Sequence, residues 1–132
     1  MKAKALAKGL TQLSEEGAIQ VFKPLLGSIW VVGAVGQLQL EVMKHRLSAE
    51  YSVEADYEAV DYSTARWVTP VLEGRTKQEI TKTMENFRRK CEPNLYMDGH
   101  GDLTYLAPNK WNLEKVAERF PDVRFEETRE HT

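Results

Sequence analysis

Ile29 to Leu47, IWVVGAVGQLQLEVMKHRL, constrains the fold more than any other stretch, because its hydrophobic period changes midway. Trp30, Val31, Val32 and Val35 are the aromatic and β-branched residues that suit a buried, pleated strand. From Leu40 the apolar positions Leu40, Met43, Leu47 and Tyr51 fall at i, i+3, i+7 and i+11, one face of a helix. Gly33 and Gly36 stand at the changeover. The pattern predicts a strand, a glycine turn in which strand and helix approach closely, and a helix over 37–52. It is not a phosphate loop: Gln37-Leu38 stands where a P-loop needs lysine and Ser/Thr, and only two of the three glycines of a dinucleotide fingerprint are present.

The flanking segments extend this into a topology. Ala3, Leu6, Leu10 and Leu13 share a helical face over 3–15, and Gly17 is placed to stop that helix. Ala18 to Leu26 reads as a strand, joined by a Gly27-Ser28 hairpin turn to a partner strand over 29–35. In 53–60, Val53, Ala55, Tyr57 and Ala59 alternate with Glu54, Asp56 and Glu58, the signature of a strand with one buried and one acidic face. The order α-β-β-α-β is one strand short of the β-α-β-β-α-β ferredoxin-like sandwich. The missing first strand would lie inside the sheet, where unpaired main-chain groups are costly. Either the chain is cut from a longer protein or another strand occupies the slot.

The second half supplies the complete order: a strand over 63–69, a helix over 76–90 with Ile80, Met84, Phe87 and Cys91 on one face, strands at 95–97 and 103–107, a helix from Asn112, and a closing strand at Val123 to Phe125. Asn112 is expected as the N-cap, with Trp111 and Val116 as a hydrophobic staple around it. The expected fold class is α+β, ferredoxin-like α/β sandwich units with antiparallel sheets. Residues 1–61 form a first unit lacking its N-terminal strand, and 62–132 a second unit packed against it.

Little in the sequence signals chemistry. The single Cys91 excludes an internal disulfide and falls on an apolar helix face without a basic partner. Asp98-Gly99-His100-Gly101-Asp102 offers two carboxylates and an imidazole, but its glycines fit a hairpin turn better than a metal site. His45 lies on a polar helix face and His131 in a charged tail. No catalytic, cofactor or metal site is assigned. No apolar run reaches the ~20 residues of a membrane span, and the N-terminus lacks the apolar core of a signal peptide. A net charge of −2 leaves no global attraction to nucleic acid, so such a contact needs a local basic patch. Candidates are Arg66 on a strand, Arg88 and Arg89 with Lys82 and Lys90 on the 76–90 helix, and Lys110, Lys115 and Arg119 on or beside the last helix, diluted by Glu79, Glu85, Glu114 and Glu118.

Gly36-Gln37-Leu38-Gln39-Leu40-Glu41-Val42, then Arg46-Leu47 and Glu50-Tyr51-Ser52-Val53-Glu54, resembles a segment of domain III in elongation-factor-G-like translational GTPases. Residues 8–25, 32–58, 64–68 and 103–108 and the tail RFPDVRFEETREH resemble the C-terminal domain, domain III, of the bacterial peptide chain release factor 3 family. These blocks run nearly end to end. Between about Pro70 and Met97 the chain departs from the pattern, so nothing is carried over to that helix. The resemblance implies a cytoplasmic, ribosome-binding module that assists GTP-dependent dissociation of class-I release factors from the ribosome in translation termination. It also implies preceding GTPase and β-barrel domains, where GTP or GDP and magnesium would bind; the fragment itself would hold no cofactor and catalyse nothing. Its partners would be ribosomal RNA and protein, with no membrane and no DNA. Possible phosphate contacts are Arg66, Arg88, Arg89, Lys110 and Arg119. The competing class is a free-standing small α/β ligand-binding or dimerisation domain.

Overall fold

In the computed structural model, residues 2–25, 27 and 29–127 are described. Four helices, α1 (Lys2–Glu15), α2 (Gln37–Tyr51), α3 (Lys77–Cys91) and α4 (Lys110–Arg119), accompany six strands. These are β1 (Gln20–Pro24), β2 (Val31–Gly33), β3 (Thr64–Pro70), β4 (Leu95–Met97), β5 (Leu103–Ala107) and β6 (Val123–Glu126). They form one six-stranded sheet in the order β2-β1-β4-β5-β3-β6, and every neighbouring pair is antiparallel. The expected α+β class, with ferredoxin-like units, holds. In the second half the strand that comes first, β3, lies inside between β5 and β6, as that fold requires.

The β1–β2 hairpin is paired in the expected sense, with Val21 opposite Val32 and Phe22 opposite Val31, though both strands are shorter than the apolar runs suggested. Ser28 of the expected turn lies outside the described residues. Sequence patterning had not revealed the outer edge of β1: Lys23 pairs with Met97 and Pro24 with Tyr96, so the hairpin continues the sheet of the second half.

The expected strand over 53–60 is not formed. Its alternation is real, since Val53 is buried, Ala55 and Tyr57 are half-buried and Glu54, Asp56 and Glu58 are exposed, but among the described residues it has no ladder partner. The segment is held instead by side chains against α2: the Tyr57 hydroxyl donates to Glu41 at 2.8 Å, and Lys44 meets Asp56 at 3.3 Å. Its natural neighbour in a ferredoxin-like sheet is the first strand that this half lacks. Alternation thus reported burial correctly as far as Tyr57, Ala59 being exposed, and pairing incorrectly.

Two apolar clusters pack beneath the helices. Leu10, Leu13, Val21, Met43, Leu47 and Val53 fill the space among α1, α2 and the hairpin. Val68, Phe87, Leu95, Tyr105, Leu113 and Phe120 do the same for α3, α4 and the larger part of the sheet. A smaller cluster of Phe22, Tyr96 and Leu106 is separate from both.

The close approach of strand and helix expected at Gly33 and Gly36 is not found: a Cβ on Gly33 would stand 3.3 Å from the Gln20 side chain of the neighbouring strand β1, not against α2. Gly36 is extended, and a Cβ there would meet nothing within 4 Å. A Cβ on Gly9 would stand 2.6 Å from Leu47 Cδ2, so it is at Gly9 that α1 and α2 need a missing side chain.

Candidate functional site

α3 starts at a capping box: the Thr76 hydroxyl accepts from the Glu79 amide at 3.1 Å, and the Glu79 carboxylate accepts from the Thr76 amide at 3.2 Å. Glu79 is therefore occupied in holding the helix start and sits about 14 Å along the axis from Arg88, the first cation of the last turn. Phe87 and Cys91 point into the core, which leaves Arg88, Arg89 and Lys90 in the last turn exposed to solvent. Cations in a last turn also complement the negative end of the helix dipole, so part of their placement is structural.

α4 brings one further cation to them. The Phe87 and Phe120 rings meet edge to face at 5.1 Å, which sets the C-terminal ends of α3 and α4 side by side. Arg119 is exposed there, its guanidinium 5.8 Å from the Phe120 ring centre. Lys90 and Arg119 both act electrostatically on the Cys91 thiol. Their fields favour a thiolate, yet burial dominates and pushes the thiol above its ordinary value, leaving Cys91 an inert apolar residue.

The remaining sequence candidates are placed apart. Lys110 is exposed in the first turn of α4, about 14 Å along the axis from Arg119 at 1.5 Å per residue. Arg66 stands on β3 opposite Tyr105, its side chain 18% exposed, 3.5 Å from Glu127 and donating to the Ala65 carbonyl at 2.9 Å. Arg88, Arg89 and Lys90 thus share the last turn of α3, Arg119 ends α4 across the Phe87–Phe120 contact, and Lys110 and Arg66 stand apart from them. Nothing local in the sequence pointed to the Arg66–Glu127 contact.

Asp98, His100 and Asp102 make the tip of the β4–β5 hairpin. One Asp98 oxygen accepts from the amides of His100 and Asp102 at 2.9 Å, the other accepts from the Trp67 indole at 2.8 Å, and Gly101 takes φ +84°. The carboxylate therefore organises a turn, as the glycines implied. Among the described residues no group of three His, Cys, Asp or Glu side chains could hold a metal ion, and no helix is long and apolar enough to cross a membrane. His131 lies outside the described residues.

α4 itself begins one turn earlier than expected. Asn109 caps it, accepting from the Asn112 amide at 2.8 Å, because Asn109 offers the same capping chemistry three residues upstream and Lys110-Trp111 can then join the helix. Asn112 becomes an ordinary first-turn residue, and the staple expected of Trp111 is not made: its indole is 63% exposed.

What the geometry offers is therefore a set of exposed cations at the ends of two helices, interspersed with the exposed carboxylates of Glu85, Glu114 and Glu118. The family model described as Class II release factor RF3, C-terminal domain, matches residues 1–117, which takes in all six strands but β6 and nearly all of α4. By that match the chain belongs to the family of class II release factor RF3 C-terminal domains, a part of the translation-termination machinery.

Proposed function

We propose that this chain is the ribosome-facing module of a class II release factor, assisting GTP-dependent dissociation of class-I release factors, and that the cations at the joined ends of α3 and α4 contact ribosomal RNA phosphates. Guanine nucleotide and magnesium are handled by a GTPase domain elsewhere in such a factor, preceded or followed by its β-barrel domain. The observation that carries this reading is the exposure of Arg88, Arg89, Lys90 and Arg119 on adjoining helix ends, fixed from below by the Phe87–Phe120 contact. A packed layer of this kind moves as a body, so a change in nucleotide state can be delivered to the ribosome as a displacement of this surface. Lys110 extends the contact along α4, and Arg66 joins it by exchanging Glu127 for a phosphate. Residues 1–61 and 62–132 act in this scheme as two units joined through the shared sheet.

The test is charge reversal at Arg88, Arg89, Lys110 and Arg119 in a full-length factor carrying this domain, with ribosome affinity measured against salt. Each phosphate contact removed should lower the slope of log affinity on log salt by roughly 0.7–0.9. An unchanged affinity and slope refutes the reading.

A further inference from the structure

Trp111 loses its expected staple once Asn109 takes over the cap. Leu113 is buried and Val116 packs on the core, whereas the Trp111 indole stands in water at the first turn of α4. A single exposed apolar residue is unremarkable by itself; its electrostatic setting is what matters. Lys110 precedes it, Lys115 lies one turn on with its ammonium 5.5 Å from the indole centre, and the first turn of α4 holds no acidic residue. The acidic residues of α4 are Glu114 and Glu118. Glu118 meets Lys115 at 3.9 Å in an exposed pair of the kind that is weak and readily exchanged.

We infer that Trp111 is a stacking platform for an unpaired RNA base, with Lys110 and Lys115 holding the phosphates on either side of it. This rests on the RNA-contact reading above and adds to it a base-recognising element. An indole presents a flat face that any base can stack on, and flanking cations neutralise the strand that carries the base. A protein partner is the poorer fit. The cores of protein interfaces are depleted in Lys and Glu, whereas Trp111 is surrounded in sequence by Asn109, Lys110, Asn112, Glu114 and Lys115. Burying those groups against a protein would strip water from lysines without offering them phosphates. The position is also continuous with the helix ends: Trp111, Lys115 and Arg119 are spaced four residues apart on the outer side of α4, over about 12 Å, leading from the indole to the end that the Phe87–Phe120 contact joins to α3. A single strand can thus run from the joined helix ends to the indole.

The experiment uses this chain, a fluorescein-labelled oligoadenylate of ~10 nucleotides, and a labelled abasic ribose-phosphate strand of equal length, compared by fluorescence anisotropy at low salt. The wild-type chain should prefer the strand with bases by about fivefold or more, the lower end expected for one stacked base. Trp111→Ala should abolish that preference while leaving abasic affinity and its salt slope unchanged, and Trp111→Phe should retain part of it. Far-ultraviolet circular dichroism checks that both variants fold, which the exposure of the side chain leads us to expect. No preference in the wild-type chain, or a preference that survives Trp111→Ala, overturns the stacking inference while leaving phosphate contact intact. No binding to either strand overturns both.

Discussion

Replacing Gly9 with alanine sets two known effects against each other. In the middle of α1 the change should favour folding by about 1 kcal/mol, because alanine is the better helix former and restricts the unfolded chain. Against it, the new Cβ would sit 2.6 Å from Leu47 Cδ2 and 3.0 Å from Tyr51 Cδ2. Neither neighbour can easily retreat. Leu47 is fully buried, and the Tyr51 hydroxyl is tied to Gln12. Overpacking of this kind costs about 1–3 kcal/mol, so the net expectation is a loss of about 1 kcal/mol and a melting temperature lower by roughly 3–5 °C for a chain of this size. Urea titration followed by circular dichroism gives the number directly. The cause can be isolated with Leu47→Ala, which should cost about 3–5 kcal/mol alone but vacate the space in question. In that background Gly9→Ala should become neutral or stabilising, a coupling of at least about 1 kcal/mol. If the single substitution raises stability, or the two effects add, the close approach of α1 and α2 at Gly9 is not what requires the glycine.

Two further outcomes are expected. Asn109→Ala should cost about 1 kcal/mol as a lost cap, while Asn112→Ala should stay within about 0.5 kcal/mol, and chemical denaturation of both variants distinguishes the two cap assignments. Hydrogen bonds from Arg46 hold the carboxyls of Glu16 and Glu50 below their ordinary 4.5, so the unfolded chain binds more protons and the stability they add is present above 4.5 and lost as pH falls through their folded values. Arg46→Gln should therefore lower the urea midpoint at pH 7, with the gap from wild type closing below pH 4.5; a gap constant down to pH 3 would count against the linkage.

Most of the elements could be read in the sequence because amphipathic spacing is local. Phe87 and Cys91 declared the inner face of α3, and by subtraction exposed Arg88 and Arg89. What escaped the sequence was non-local or degenerate. The pairing of Lys23 and Pro24 with Met97 and Tyr96 joins edges more than seventy positions apart and leaves no mark in either segment. Asn109 and Asn112 are chemically equivalent as caps, so local chemistry alone does not choose the Asn109 start. Gly33 and Gly36 were conspicuous beside a strand, whereas Gly9 sat unnoticed in a helix because its reason is a leucine 38 positions away. Of the five candidate contact residues, helical exposure was legible for Arg88, Arg89 and Arg119. The Glu127 contact that engages Arg66 depends on how β3 and β6 align.

The segment over 53–60 is anchored through Val53 and Tyr57, yet has no neighbouring strand along its main chain among the described residues. Order and amide protection therefore come apart here. The Val53 and Tyr57 side chains should look as settled as those of the core, while the backbone protons beyond Val53, whose own amide donates to the Leu47 carbonyl, exchange with solvent on the timescale of a loop. A probe sensitive only to side chains would class it with the interior, and one sensitive only to amides with the surface.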